Sequence, residues 1–331
     1  MNVYLDETSR APKYRQLITS IEKAILNGDY KKGDVLPSIN SLKSRFRISR
    51  DTVLLAYSNL KLRGIIYAVA GKGYYIKTEN VSTVERIFLL FDEFNSFKED
   101  LYNSFLANLE QGVEVDIYFH HFNTAIFSKL ILDNIGVYNS YIIMPANLKD
   151  VHLVIERLPK ESVYILDQTQ KELSKYPAVV QNFKEDVVFG LTESYQQLKK
   201  YNKIVIVYVK EKQPKEMLKG VKKFCKTQDF EYEIISNLEA KEIVKSEAYF
   251  IPDDKTLIRL IKSIRDSKLV LAKDIGIISY NDTLLKEIVE GGITTISTDF
   301  NKMGENLARM VMKKETKRLQ NPCLFINRNS L

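Results

Sequence analysis

The chain has 331 residues, 45% of them apolar and 27% charged, which excludes a disordered, fibrous or low-complexity polypeptide and leaves room for two or three domains. Residues 1–80 hold 14 Lys and Arg against 7 Asp and Glu, whereas the remainder carries 35 of each, so the whole net charge of +7 sits in the first quarter. A basic head on a neutral body points to a polyanion-binding module carried by a part with another task.

The longest apolar runs, such as Ile204–Val209, are far too short to span a bilayer. The opening residues Met1 to Glu7 show neither the basic nor the apolar region of a secretory leader. Two cysteines, Cys225 and Cys323, lack metal-ligand spacing. These features predict a reduced, cytoplasmic protein with no metal and no cofactor.

In the head, Tyr14, Leu17, Ile18, Ile21 and Ile25 recur at helical spacing, and Asn27-Gly28-Asp29 closes the helix. Ser38 is placed to cap a second, short helix that buries Ile39, Leu42 and Phe46. Arg47-Ile48 turns the chain, and Ser49 caps a third helix reaching Arg63, with Val53, Ala56, Tyr57 and Leu60 inward and Arg50, Asp51 and Leu54 near its open end. The period then changes. Ile65-Ile66-Tyr67 and Tyr74-Tyr75-Ile76 flank Ala70-Gly71-Lys72-Gly73, a hairpin with a flexible basic tip. Helix–turn–helix plus hairpin is a winged helix, whose second motif helix fits the major groove while the wing reaches the backbone.

From Tyr14 to Ile76 the chain resembles the DNA-binding domain of GntR-type transcription regulators, through Gly28, Gly33-Asp34, Leu36-Pro37-Ser38, Ser49-Arg50, Thr52-Val53, Leu60, Gly64 and Gly71-Lys72-Gly73. The resemblance implies that Ser49, Arg50 and Thr52 meet phosphates and base edges and that the Gly71–Gly73 wing adds a contact. The candidate DNA-contacting set is Ser38, Lys43, Arg45, Ser49, Arg50, Asp51, Thr52, Gly71, Lys72 and Gly73. Two family arginines are replaced here by Asn40 and Leu54, which shifts recognition toward Arg50, with Lys43, Arg45 or Lys72 on phosphates. The other use of a winged helix is protein contact, which the charge excess and basic wing disfavour.

Residues 1–77 are thus read as the head and 78–83 as a polar linker. Beyond it strands alternate with helices: Arg86–Phe91, Val113–Phe119, Tyr141–Met144, Val163–Leu166, Lys203–Val209, Glu231–Ile235, Ala248–Ile251, Ile275–Ser279 and Thr294–Ser297, with helices at Phe97–Gln111, Glu185–Lys200, Lys215–Thr227, Lys255–Ser267 and Lys302–Lys317. The fold class is α/β with parallel sheets, divided into two lobes because so long a stretch exceeds one open sheet.

Asp274–Asp282, Ile293–Ile296, Asp299 before Met303-Gly304, and Phe250–Asp254 resemble the effector domain of LacI-type repressors, a fold shared with periplasmic sugar-binding proteins. Leu90-Phe91-Asp92 and a closing strand Leu324–Arg328 agree with it. A GntR-type head on this body is the arrangement of arabinose-repressor-like regulators. It implies lobe 1 over about 84–184 and 298–320, and lobe 2 over about 185–297 and 321–331.

A sugar needs carboxylates or amides for its hydroxyls and aromatics for its C–H faces. Strand ends supply Asp92, Phe94 and Asn95, then Asp167, Asp253, Tyr280 and Asn281, of which the resemblance marks Asp253 and Asn281 as hydroxyl ligands. Asp254 and Asp299 read as helix caps. Met217 stands where the resemblance expects an arginine, leaving open a smaller ligand or a cleft that serves only dimerisation. His120 and His121 are adjacent on an expected strand, so their rings diverge and cannot share a metal. P-loop and nucleophile-elbow patterns do not occur. The reading is a homodimeric, ligand-responsive regulator, a repressor of sugar-utilisation genes, with a duplex DNA operator and a small sugar or derivative as partners and no membrane. A carbohydrate-acting enzyme with a DNA-tethering head is the alternative from another class.

Overall fold

Three helices and a hairpin build the head in a computed structural model that describes residues 3–7, 11–79, 81, 85–239 and 241–331. Residues 80 and 82–83 of the expected linker lie outside the described residues, as does 84, where the body was expected to begin. Helix α1 (Lys13–Leu26) buries Leu17, Ile18, Ile21 and Ile25. Ser38 caps α2 (Ile39–Phe46), its Oγ accepting from the Ser41 amide at 3.1 Å. Arg47 turns the chain in the left-handed region at φ 51°. Ser49 then caps α3 (Arg50–Leu62) through the Thr52 amide at 3.1 Å. Tyr57, fully buried in α3, donates its hydroxyl to the Pro37 carbonyl at 2.5 Å and fixes α3 against the entry to α2.

The wing pairs β1 (Ile66–Val69) with β2 (Gly73–Ile76) from Ile66–Ile76 to Val69–Gly73. Gly73 is therefore a paired strand residue, and the tip is one residue shorter than the sequence suggests. Gly71, at φ 73°, makes that tight turn possible. Val3, Leu5 and Val81 also pack into the head's core, so the expected linker lends it an apolar side chain.

The body contains two separate six-stranded sheets. Lobe 1 is built on β3 (Arg86–Phe91), β4 (Glu114–Phe119), β5 (Ser140–Ile143), β6 (Val163–Asp167), β7 (Ala178–Val180) and β13 (Arg318–Gln320), all parallel, in the order β13-β7-β6-β5-β3-β4. Lobe 2 uses β8 (Lys203–Val207), β9 (Glu231–Ile235), β10 (Glu247–Ile251), β11 (Ile275–Tyr280), β12 (Thr294–Thr298) and β14 (Cys323–Ile326), in the order β14-β12-β11-β10-β8-β9, with only β14 antiparallel.

Each sheet is covered on both faces, as parallel strands require. In β3, Ile87, Leu89 and Phe91 meet α4 (Ser96–Ala107) and α12 (Phe300–Met312), while Phe88 and Leu90 face α5 (Thr124–Asp133) and α6 (Val151–Ile155). Lobe 2 packs α7 (Phe183–Glu193), α8 (Tyr195–Leu198) and α9 (Lys215–Gln228) on one face and α10 (Asp254–Asp266) on the other, with α11 (Leu284–Ile288) following β11. No helix among the described residues is long and apolar enough to cross a membrane.

Several elements differ from expectation. The helix expected at Glu185–Lys200 breaks after Glu193, where the Ser194 hydroxyl turns back to the carbonyls of Gly190 and Leu191. The last helix stops at Met312, and Lys314 adopts φ 50°. β7 and β13 escaped the sequence pattern because three residues carry too little periodicity. The chain passes between sheets after β7, after β12 and after β13.

Head and body meet where Pro12, just before α1, lies against Gly136 of lobe 1; a Cβ on Gly136 would sit 2.4 Å from the proline ring. A cavity of about 1050 Å³ opens beside this contact, between α1 and the amino ends of the lobe 1 strands.

Gly304 is where α12 and α4 touch backbone to backbone. A Cβ there would lie 2.5 Å from the Leu101 carbonyl and 2.7 Å from the Phe105 amide. Gly304→Val should therefore destabilise the body by about 1–3 kcal/mol, the usual cost of overpacking, read as a lower urea midpoint; an unchanged midpoint would show that the helices can separate freely.

Candidate DNA interface and interlobe cleft

The head presents its polar candidates outward. Ser38, Lys43, Arg45, Ser49, Arg50 and Asp51 are exposed, Thr52 is half-buried, and Gly71, Lys72 and Gly73 are exposed at or beside the wing tip. The hydroxyls of Ser38 and Ser49 are engaged in capping, and Ser49 Oγ also lies 2.8 Å from Thr52 Oγ1, so these residues first define where the helices start. Arg45 lies over its neighbour Phe46, 5.1 Å from the ring centre. Arg47, exposed on the left-handed turn between α2 and α3, adds a cation that the sequence reading used only as a turn. Cations on α2, the turn, α3 and the wing give a surface suited to a phosphate backbone.

In the body, the carboxyl ends of the parallel strands face the space between lobes. Lobe 1 gathers two of the predicted carboxylates around a lysine that the sequence did not mark. Asp92, just past β3, accepts from Lys98 Nζ and from the Glu93 amide, and both Asp92 and Lys98 are buried. Burial pushes the Lys98 ammonium down to about 8 against the opposing pull of Asp167. Asp167 ends β6 at φ 70°; burial raises its carboxyl, while Lys98 and a hydrogen bond from Gln181 work the other way. Asn95 caps α4, and Phe94 is 54% exposed with its ring edge-on to Phe119.

Lobe 2 arranges its candidates differently. Asp253 is the cap of α10, accepting from the Thr256 amide at 2.9 Å; Asp254, expected to be the cap, instead pairs with Lys286 at 3.0 Å. Asp299 does cap α12. Asn281 takes φ 58° and leaves its Oδ1 buried without a hydrogen-bond partner among the described residues. The wholly buried Lys286 donates to the Tyr280 and Asn281 carbonyls at 2.9 and 2.6 Å and so holds this loop's shape. Tyr280 is buried, its hydroxyl donating to Gln181 Oε1 at 3.2 Å. Met217 lies in the core of lobe 2 and supplies nothing to the cleft.

A cavity of about 480 Å³ lies at the lobe boundary, lined by Asn147, Gln168, Gln170, Gln181, Asn182 and Phe183 among others. None of the seven residues chosen from sequence as ligand contacts lines it. Across the boundary, Asn147 Nδ2 donates to the Gln213 carbonyl at 2.8 Å. The two histidines lie past the end of β4 rather than on it. His120 is fully buried with Nε2 against the Met144 carbonyl, and His121 follows at φ 48°. The described residues contain no cluster that could hold a metal ion.

A capped winged helix with a cationic surface, carried on a two-lobed parallel-sheet body crossed three times by the chain, is the build of a bacterial transcription regulator. Residues 13–76 match the bacterial regulatory proteins of the gntR family, and residues 198–325 match the periplasmic binding protein-like domain. The chain is 32% identical over 114 residues to the HTH-type transcriptional repressor YtrA of Bacillus subtilis (strain 168), covering 34% of this chain and 84% of that one. It is 38% identical over 71 residues to the mannosyl-D-glycerate transport/metabolism system repressor MngR of Escherichia coli (strain K12), covering 22% and 30%. With the HTH-type regulator YcxD of Bacillus subtilis (strain 168) it shares 44% over 64 residues, covering 19% of this chain and only 14% of that relative's length. The chain belongs to the gntR family of bacterial regulatory proteins.

Solved structures match the body. The trehalose repressor from Escherichia coli superposes with a TM-score of 0.63 at 13% identity over 74% of this chain and all of that one. A LacI family regulator from Enterococcus faecium with bound ribose gives 0.60 at 16% identity, covering 74% and 98%. At these identities the likeness is one of fold.

Two buried groups near the lobe boundary titrate in opposite senses. Burial lowers His120 from 6.5 to about 4, so its contribution to stability is complete above 6.5 and is lost as pH falls toward 4. Burial raises Asp186 from 3.8 to about 6, so its contribution is complete below 3.8 and is lost as pH rises through 6. Urea midpoints across this window should fall more steeply with rising pH in His120→Gln than in the wild type, and rise more steeply in Asp186→Asn. Slopes identical to wild type in both variants would refute the assigned burial.

Proposed function

We propose that the protein is a cytoplasmic, ligand-responsive transcription regulator that binds a DNA operator as a homodimer and acts as a repressor of sugar-utilisation genes. The observation that carries this reading is the joining of a winged helix, with its cations on α2, the turn, α3 and the wing, to a body whose lobes are linked by three chain crossings. One winged helix makes few base contacts, and a dimer on a roughly palindromic site multiplies them. A ligand between the lobes changes operator affinity only by its preference for one lobe arrangement over the other. The repressor names of relatives support the repressor reading, and the ribose-bound neighbour of like fold supports a monosaccharide or derivative as effector.

A second reading keeps the DNA-binding head and makes the cleft a dimerisation module without effector. It is favoured by Asp92 and Asp167, whose carboxylates are engaged by Lys98 and Gln181, and by the burial of Met217. A thermal-shift panel of pentoses, hexoses and their phosphates separates the two, since a ligand at a hundredfold excess over its Kd adds about 2.7 kcal/mol. A single hit supports the effector; a flat panel supports the second reading.

The head is tested on an operator selected by the full chain from a random duplex pool. Arg50→Ala should weaken binding by about 1–3 kcal/mol in a gel-shift titration, the worth of one good base contact. Equal binding by the variant would move recognition off the start of α3.

A further inference from the structure

Gln181 lies in the first chain crossing, where its side chain is used from both sides. Its Oε1 accepts from Tyr280 Oη at 3.2 Å and from Thr298 Oγ1 at 2.5 Å, at the carboxyl ends of β11 and β12 in lobe 2. Its Nε2 donates to Oδ1 of Asp167, the last residue of β6 in lobe 1. This orientation gives both hydroxyls an acceptor and the Asp167 carboxylate a donor. Gln181 also lines the interlobe cavity, and Asp167 takes only one of its two N–H hydrogens.

The third crossing is tied to this one through the main chain and to the second through a side chain. The Asn321 amide donates to the Val180 carbonyl at 2.8 Å, and Asn321 Nδ2 donates to the Asp299 carbonyl at 2.8 Å. These bonds hold the crossings together and leave the angle between the sheets to the side chains beside them.

From this we infer that Gln181 is the positioning residue that sets the relative orientation of the two lobes, bridging Asp167 to Tyr280 and Thr298 where a cavity ligand can reach it. The inference rests on reading the body as a two-state switch. A ligand group accepting from Nε2 competes with Asp167, so filling the cavity and holding the lobes draw on the same amide. The charged and titratable groups facing this bridge are Asp167 itself, Lys98 of α4 with its partner Asp92, Asp186 of α7, Cys323 of β14 and Tyr280.

Gln181→Glu keeps the shape and turns an oxygen toward Asp167. Two facing buried carboxylates share one proton at low pH and repel once both ionise. Gln181→Met keeps the length and removes every side-chain hydrogen bond, leaving the backbone bond from the residue 181 amide to the Asp167 carbonyl. Spin labels on the exposed Lys171→Cys in lobe 1 and Lys212→Cys in lobe 2, with Cys323→Ser and dilution into unlabelled chain, report the interlobe distance without any ligand. Compared with the wild type at the same pH, Gln181→Glu should match it at about pH 5 and shift to longer distance at about pH 8. Gln181→Met should be shifted at both.

Wild-type distances in both variants at both values would overturn the inference. So would a Gln181→Glu shift that did not depend on pH, which marks a packing defect instead. Should neither variant fold, Tyr280→Phe combined with Thr298→Val cuts the other end of the bridge and must lengthen the distance. An effector panel that stays flat leaves this measurement intact, so failure of the bridge and failure of the effector reading are told apart.

Discussion

A parallel sheet has to be buried on both faces, and in this chain that requirement organises everything after residue 85. Each parallel connection needs a crossover, and the crossovers become the helices that cover the faces. β3 shows it most plainly, with Ile87, Leu89 and Phe91 given to one layer of helices and Phe88 and Leu90 to the other. The same rule brings the strand carboxyl ends of each sheet together, and there the chain places several of its buried charges, among them Asp92, Lys98, Asp167 and Lys286.

Those charges are costly to bury, and the protein settles them locally. Lys98 answers Asp92 and stands near Asp167; Lys286 answers Asp254 and two carbonyls; Arg328 pairs with Asp282 at 2.6 Å. Such groups seldom add net stability, yet removing one partner leaves a bare charge, so they select a single arrangement. The carboxyl ends of the strands are consequently held in shape by their own ion pairs.

Much of the fold was legible in the sequence. The limits of β3 and β9 and the capping roles of Ser38, Ser49 and Asp299 follow from alternation and from residues that satisfy orphan amides. Other features were not legible, for physical reasons. Asp253 and Asp254 are equivalent in a string of letters, and only the backbone turn decides which one caps α10. Lys98, in Phe97-Lys98-Glu99-Asp100, reads as a solvated first turn; its burial is created by the strands it packs against. Gln181 follows two valines as an ordinary polar residue, and its bridge joins groups 14, 99 and 117 positions away. Tyr280 sits at a strand end, where the sequence pattern predicts a ligand contact, and in the structure its hydroxyl donates to Gln181 Oε1.

The packing of Val81 bears on how this protein could be recombined with its relatives. With Val81 seated in the head and β3 starting at Arg86, the five Cα–Cα steps from Val81 to Arg86 span at most about 18 Å. Pro12 against Gly136 gives the head a second point of attachment. A chimera cut at the polar stretch after residue 77 would leave behind the valine that closes the head's core. A graft that moves head, Val81 and the amino-terminal Val3 and Leu5 as one piece would preserve it.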